Sequence, residues 1–306
     1  MWIGKVRVAV LMGCLMAFSA FSPAAETEKP TEMDAVPDGE KRSSIHTVDG
    51  FAYLSEDMTL KQVREAAFAN AKRQALESAQ TLIKSKTKVK DFQVEYDVIV
   101  AETEGAVRVL EQTDHGIVEN VRYRVWMKAE VFFDIKPKDS PVEAQSLLMS
   151  EDAPLTVNVW TDKKHYRRGE NIQIFIRGNK DFYARVVNIT GSGHVIQLLP
   201  NLYREERHFR GGKVYVIPGE QDRFDLEVVE PFGRDRIIVY ASDVPQGDVL
   251  LQPIGQGLLE FQGPEESLSI QTRAIKVVAK DRDSSRTDSV GGSEFYEAVW
   301  EITTGP

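Results

Sequence analysis

The 306-residue sequence has a single cysteine, Cys14, and only five histidines. One cysteine excludes an internal disulfide framework and any multi-thiolate metal site. His46, His115, His165, His194 and His208 are scattered without the spacing a zinc site needs, so each is expected in a turn or on the surface. Positive charge is also short: 38 Lys and Arg against 47 Asp and Glu give a net charge of -9. That balance argues against a polyanion binder, which neutralises phosphates with Lys and Arg, so no nucleic-acid partner is expected. No Gly-x-Ser-x-Gly elbow is present, and Gly191-Ser192-Gly193 lacks the third glycine and following helix of a dinucleotide loop; it reads as a turn. Asp281-Arg282-Asp283 begins like a calcium loop, but Arg286 stands at the sixth position, where glycine is required, and Gly292 at the twelfth, where glutamate is required. The expectation is a chain without metal, cofactor or catalytic constellation.

Long apolar runs are scarce as well. The one at residues 8–21 is about 14 residues, short of the roughly 20 a spanning helix needs. It comes after Lys5 and Arg7 and ends in Ser22-Pro23-Ala24-Ala25, the pattern of a secretory signal peptide cut after Ala24. No transmembrane helix is expected in the mature chain, and the expected location is the periplasm or cell envelope of a Gram-negative bacterium. Leu11-Met12-Gly13-Cys14 resembles a lipobox, although Met12 fits it poorly and the apolar run continues beyond Cys14; a lipid anchor at Cys14 is the alternative. Residues 25–45 are charged, contain proline and lack periodicity, which predicts a disordered tether.

From residue 46 onward periodicity is clear, and the fold class expected is α+β: a helix-on-antiparallel-sheet module at 46–137, a linker at 138–154, and an all-β sandwich module at 155–304. Thr59 and Gln62 have capping-box spacing. From there Leu60, Val63, Ala67, Ala71, Ala75, Ala79 and Leu82 recur at steps of three and four, one stripe of a helix about 25 residues long. A stripe so rich in alanine predicts close approach to whatever it covers. Lys84, Lys86, Lys88 and Lys90 gather at the far end and read as a solvated terminus. Strands are expected near 92–100 and 107–112, then a hairpin turn at Asp114-His115-Gly116. Ile117, Val121, Tyr123, Val125, Met127, Ala129, Val131, Phe133 and Ile135 alternate on one face over 19 residues, with Arg122, Arg124, Lys128, Glu130 and Asp134 on a wet one. Such length predicts a bulge or bend.

The motifs Arg64-Glu65-Ala66-Ala67, Ala71-Lys72-Arg73-Gln74-Ala75-Leu76 and Gly105-Ala106-Val107-Arg108-Val109 resemble the amino-terminal domain of flagellar assembly protein T and related small outer-membrane lipoproteins, over about 45–137. That resemblance implies an envelope setting. Pro137, Pro141 and Pro154 bracket the linker, with a short helix expected at 142–149. Beyond it the period is two throughout, in Leu155, Val157 and Val159, in Ile172, Ile174 and Ile176, in Phe182, Ala184 and Val186, and later in Phe224, Leu226 and Val228 and at 237–241. Turn signals separate these runs, which indicates a β-sandwich. Val159-Trp160-Thr161-Asp162-Lys163, Tyr166-Arg167-Arg168-Gly169-Glu170, Leu198-Leu199-Pro200-Asn201, Gly211-Gly212-Lys213 and Trp300-Glu301-Ile302-Thr303-Thr304 resemble the domain-of-unknown-function family 4384, over about 155–304. The resemblance implies an accessory module of secreted or membrane proteins and carries no activity.

Two candidate contact sites emerge. Arg204, Arg207, His208 and Arg210 lie beside Tyr203 with Glu205 and Glu206 interleaved, which fits either local charge pairing or a partner contact on an irregular loop. Trp160 alternates out of phase with the buried positions of its strand and is either a surface anchor or packed beneath the neighbouring module. The expected function is that of a non-catalytic exported protein acting through contacts with envelope proteins as an accessory or assembly factor. The alternative is a β-sandwich that binds envelope glycan or another ligand.

Overall fold

The computed structural model describes residues 40–86, 96–100, 107–137, 148–255, 257–273 and 292–306. The expected signal peptide with Cys14, the expected tether up to residue 39, Lys88, Lys90, most of the expected 142–149 helix and the expected loop containing Asp281 and Asp288 lie outside the described residues.

Thr59 opens α1 (Leu60–Lys86) with the reciprocal bonds of a capping box: its N–H donates to Gln62 Oε1 at 2.8 Å, and its Oγ1 accepts the Gln62 N–H at 3.3 Å. Val63, Ala67, Ala71, Ala75, Ala79 and Ile83 are buried, an unbroken row of steps of four. Leu60 is exposed and Leu82 half-buried, so Ile83 takes the end of the stripe in place of Leu82. A row at that spacing is a single ridge, inclined about 26° to the axis. With alanine along it the ridge is shallow, and the backbone beneath can approach. It does so at Gly50 on β1 (Lys41–Tyr53), where an added Cβ would stand 2.6 Å from Ala71 Cβ and 2.7 Å from the Ala71 nitrogen.

The surface under the helix is completed by β2 (Tyr96–Val100), β3 (Val107–Val118) and β4 (Arg122–Pro137), with β4 paired to β1 on one side and to β2 and β3 on the other. Tyr123, Val125, Met127, Ala129, Val131, Phe133 and Ile135 are buried as the alternation requires. The hairpin turn is elsewhere than expected. Gly116 has φ 71° and its N–H is held by Asp114 Oδ1 at 3.0 Å, but this left-handed residue makes a bulge in β3, which continues through it. The chain reverses at Glu119 and Asn120, with φ of 55° and 58°. Ile117 and Val121 are therefore exposed at the hairpin end, and the irregularities fall in β3, with β4 unbroken. The expected wet face of β4 is also corrected: Lys128 and Glu130 are buried, at 5% and 0% exposure.

The other edge of β1 pairs antiparallel with β15 (Ser293–Gly305), from Lys41 opposite Glu297 to Ile45 opposite Ser293. Residues 41–45, expected in a disordered tether, are thus strand; their polar character reflects the buried bonds made by Ser43 and Ser44. Beyond β15 the same sheet continues through β12 (Arg234–Ser242), β8 (Phe182–Ile189), β9 (Val195–Leu199), β14 (Leu258–Phe261) and β13 (Gln252–Gly255), with β6 (His165–Arg167) paired to β15 and β10 (His208–Phe209) to β8. The regions on either side of 138–154 therefore share one 12-stranded sheet, and Leu148 packs among the helix alanines.

A three-stranded sheet of β11 (Val214–Ile217), β7 (Ile174–Gly178) and β5 (Val157–Thr161) covers one face of the large one, giving a sandwich. The core between them includes Val157, Ile174, Ile176, Phe182, Val186, Phe209, Ile217, Ile237, Val239 and Tyr296. The strand expected at 224–228 is reduced to one bridge, Asn171 opposite Glu227, though Val228 is buried as its alternation implies. On the opposite face lies a helix that period-two alternation does not announce, α2 (Glu265–Arg273), whose Leu268 packs with Ile238, Tyr240 and Val299.

Candidate functional site

The 201–210 loop is held by one side chain. Asn201 Oδ1 accepts the N–H groups of Tyr203 and Arg204, each at 2.8 Å, and its Nδ2 donates to the Leu198 carbonyl at 2.8 Å, as asparagine does in turns. The four candidate residues of this loop then separate. Arg204 turns inward, 14% exposed, and donates to Asp222 Oδ2 at 3.0 Å and Glu206 Oε2 at 2.9 Å. Arg207 is exposed and pairs with Asp248 at 3.3 Å. Arg210 is exposed, its backbone N–H bonded to Tyr215 Oη at 2.9 Å. Tyr203 is 54% exposed, stacks on Phe224 at 6.1 Å, and lies over Gly257 so closely that a Cβ there would be 2.6 Å from its ring. Leu202 beside it is 69% exposed, and Ile254, on the hairpin that contains Gly257, is exposed as well. Trp160 is on a different element. It stacks on Phe175 at 5.5 Å with 10° between the planes, on the outer face of the three-stranded sheet, and is half-buried.

A second site has no counterpart among the sequence motifs. Where α2 crosses the large sheet, Arg273 Nε is 2.5 Å from Glu130 Oε1 on β4, and Arg273 Nη2 donates to Glu297 Oε2 on β15 at 3.1 Å. Ser43 Oγ donates to Glu130 Oε1 at 2.6 Å, and Lys41 Nζ to Glu297 Oε1 at 3.3 Å. Arg108 stands 3.7 Å from both Glu130 and Glu266, and Arg236 holds Glu265 at 2.6 and 3.4 Å. A cleft of about 510 Å³ opens above these groups. Nothing in the sequence signals it: Glu130 stands at a regular polar position of the alternation, and the elements bearing Arg273 and Glu297 lie far along the chain.

A third cluster ties the end of α1 to the sandwich. Glu294 is buried and is reached by Lys86 Nζ at 2.7 Å and Lys180 Nζ at 3.3 Å, so Lys86 is not a simply solvated terminus. Asp243, beside Glu294, has its carboxyl pushed up to about 6 by burial. His46, expected at the surface, is buried next to Ser44 Oγ at 2.9 Å, and burial pushes its imidazole down to about 4. Among the described residues no three His, Cys, Asp or Glu gather closely enough to hold a metal. No described helix is long and apolar enough to cross a membrane.

Comparison with known proteins bears on the sandwich alone. No curated protein matches the chain. The motifs at 159–163 and 300–304 fall outside the matched stretch, as does all of 45–137, where the comparisons give no support for the expected resemblance to flagellar assembly protein T or the small outer-membrane lipoproteins. Residues 165–245, which span β6 (His165–Arg167) to β12 and include the 201–210 loop, match the family described as Domain of unknown function (DUF4384).

Proposed function

We propose that this chain is a non-catalytic exported protein of a Gram-negative cell envelope, acting through protein contacts as an accessory or assembly factor. The observation that carries this reading is the loop holding Leu202 and Tyr203, 69% and 54% exposed, on a backbone fixed by Asn201. A pre-ordered loop loses little conformational freedom on association, and tyrosine flanked by arginine is the composition of interface anchors. Tyr203 and Leu202 supply the apolar centre, with Arg207 and Arg210 at its rim; Arg204 holds the loop. Export is supported by Lys5, Arg7, the apolar run at 8–21 and Ser22-Pro23-Ala24-Ala25.

Placing a photo-crosslinking residue at Tyr203 in the producing cell tests the contact. A discrete adduct with an envelope protein is expected at Tyr203 and not at Glu77, an exposed position on α1; equal labelling at both sites would contradict the reading. Intact-mass analysis tests export, with a mature chain beginning at Ala25 expected outside the cytoplasm. A diacylglycerol adduct on Cys14 would replace the soluble form with an anchored one.

A further inference from the structure

The apolar layer between α1 and the sheet is open at one end. Its last buried members there are Val63 and Ala67 on α1 and Tyr123 and Val125 on β4, with Ala52 of β1 packed against them. Each element then carries its apolar pattern one step further out. Leu54 stands two residues beyond Ala52, Leu60 three before Val63, Val121 two before Tyr123, and Ile117 opposite Tyr123 in the β3–β4 pairing. These are the spacings that keep a side chain on the same face of a strand or a helix. Yet these four, and Met58 in the connector between β1 and α1, are between 37% and 54% exposed. The backbone holds them together: the Leu54 N–H donates to the Val121 carbonyl at 2.9 Å, and the Met58 N–H to the Ser55 carbonyl at 3.2 Å. One exposed leucine needs no explanation, but five apolar side chains from three segments at one end of a layer mark a contact surface.

Charge at this end decides what the surface fits. Arg64 is paired with Asp114 at 2.8 Å, Arg122 with Glu119 at 2.9 Å and Lys61 with Glu65 at 3.9 Å. Glu56 and Asp57, between Leu54 and Met58, are exposed and form no ion pair among the described residues. The apolar surface is therefore edged by two unmatched carboxylates, on a chain whose net charge is -9. A bilayer fits poorly, because inserting Leu54 and Met58 would draw both carboxylates towards hydrocarbon. A second copy fits no better, since a two-fold contact would set the same carboxylates against each other. A segment with apolar residues on one side and Lys or Arg beside them matches both features. We propose that the open end of the layer between α1 and the sheet is a docking site for a cationic amphipathic segment of a partner protein, whose apolar side chains cover Leu54, Leu60 and Val121 and whose basic side chains pair with Glu56 and Asp57. This surface is separate from the Tyr203 loop and does not require it.

Calorimetric titration of the full chain with an amphipathic helical peptide of leucine and lysine, and with its leucine and glutamate counterpart, tests this, with phosphatidylcholine vesicles as the membrane arm. Saturable binding of the lysine peptide is expected, weakened about tenfold when Glu56→Lys and Asp57→Lys are combined, weakened likewise by Leu60→Ser, and unchanged in Tyr203→Ala. The substituted positions at this end are all exposed, where changes disturb folding little. Binding of neither peptide, equal binding of the glutamate peptide, binding indifferent to the substitutions at this end, or vesicle attachment that Leu60→Ser abolishes overturns the proposal.

Discussion

The two faces of β4 are built on opposite principles. One presents Val125, Met127, Ala129, Val131 and Phe133 to the alanine ridge of α1, with Gly50 admitting the helix backbone. The other presents Glu130 to a network completed by Ser43, Arg108, Arg273 and Glu297, and Lys128 to Glu111 at 3.5 Å. The apolar face closes with elements adjacent in sequence. The ionic face closes only when β15 and α2 return to the amino-terminal strands, so it joins the ends of the chain. Apolar packing stabilises by removing surface from water, whereas a buried ion pair contributes little net stability but is strongly destabilising when only one partner remains. The first face therefore responds to size and the second to charge balance.

The largest effect expected is on the ionic side. Glu130→Ala leaves Arg273 with one fewer buried counter-ion and should cost about 3 to 5 kcal/mol in urea denaturation, while the double variant Glu130→Leu, Arg273→Met should recover most of that loss. A single variant as stable as the parent would show that the pair is not buried as described. On the apolar side, Ala71→Leu or Ala75→Leu should cost about 1 to 3 kcal/mol through overpacking, and Gly50→Ala should fall in the same class because its Cβ meets the Ala71 backbone. Thr59→Ala, which removes the cap, should cost about 1 kcal/mol. Arg73→Ala on the exposed side of α1 should stay within about 0.5 kcal/mol. Equal losses at Ala71 and Arg73 would mean that the alanine ridge is not the packed face.

The smallest net effect is a pH dependence in which two contributions of similar size oppose each other. His46 titrates near 4 in the folded chain and at 6.5 as a free side chain, so the unfolded state binds its proton first and stability is lost as pH falls from 6.5 towards 4. Asp243, with Glu294, Lys86 and Lys180 around it, titrates near 6 when folded against 3.8 otherwise, so its contribution rises as pH falls from about 6 towards 4. His46→Gln removes the first trend. Its stability relative to the parent should improve on acidification across this window, and parallel curves would show that His46 is not held neutral by burial.

Legibility in the sequence divides along the same line. The cap at Thr59, the alanine row, the alternation of β4 and the short strands from Val157 to Leu199 depend on local periodicity, and the structure has them. Gly116 misleads because a left-handed glycine serves a bulge as well as a turn. Ser43 and Ser44 look like tether because a strand flanked by two partners can bury hydroxyls that find acceptors. Of the loop residues, the interleaving of Glu205 and Glu206 with arginines foretells the Arg204–Glu206 pair, but Asp222, the better-buried partner of Arg204, is distant in sequence. Glu130, Arg273 and Glu297 share no motif, because only the pairing of β1 with β15 brings them together.

That pairing makes the most direct test. Trp126 lies on β4, on the face turned away from the alanine ridge, and Trp160 lies on β5 in the sandwich. Urea unfolding monitored by fluorescence in variants retaining one or the other tryptophan should give coincident midpoints, because β1 joins both regions in one sheet. Separate transitions, accompanied by proteolysis within 138–154 that leaves two resistant fragments, would contradict a single cooperative sheet.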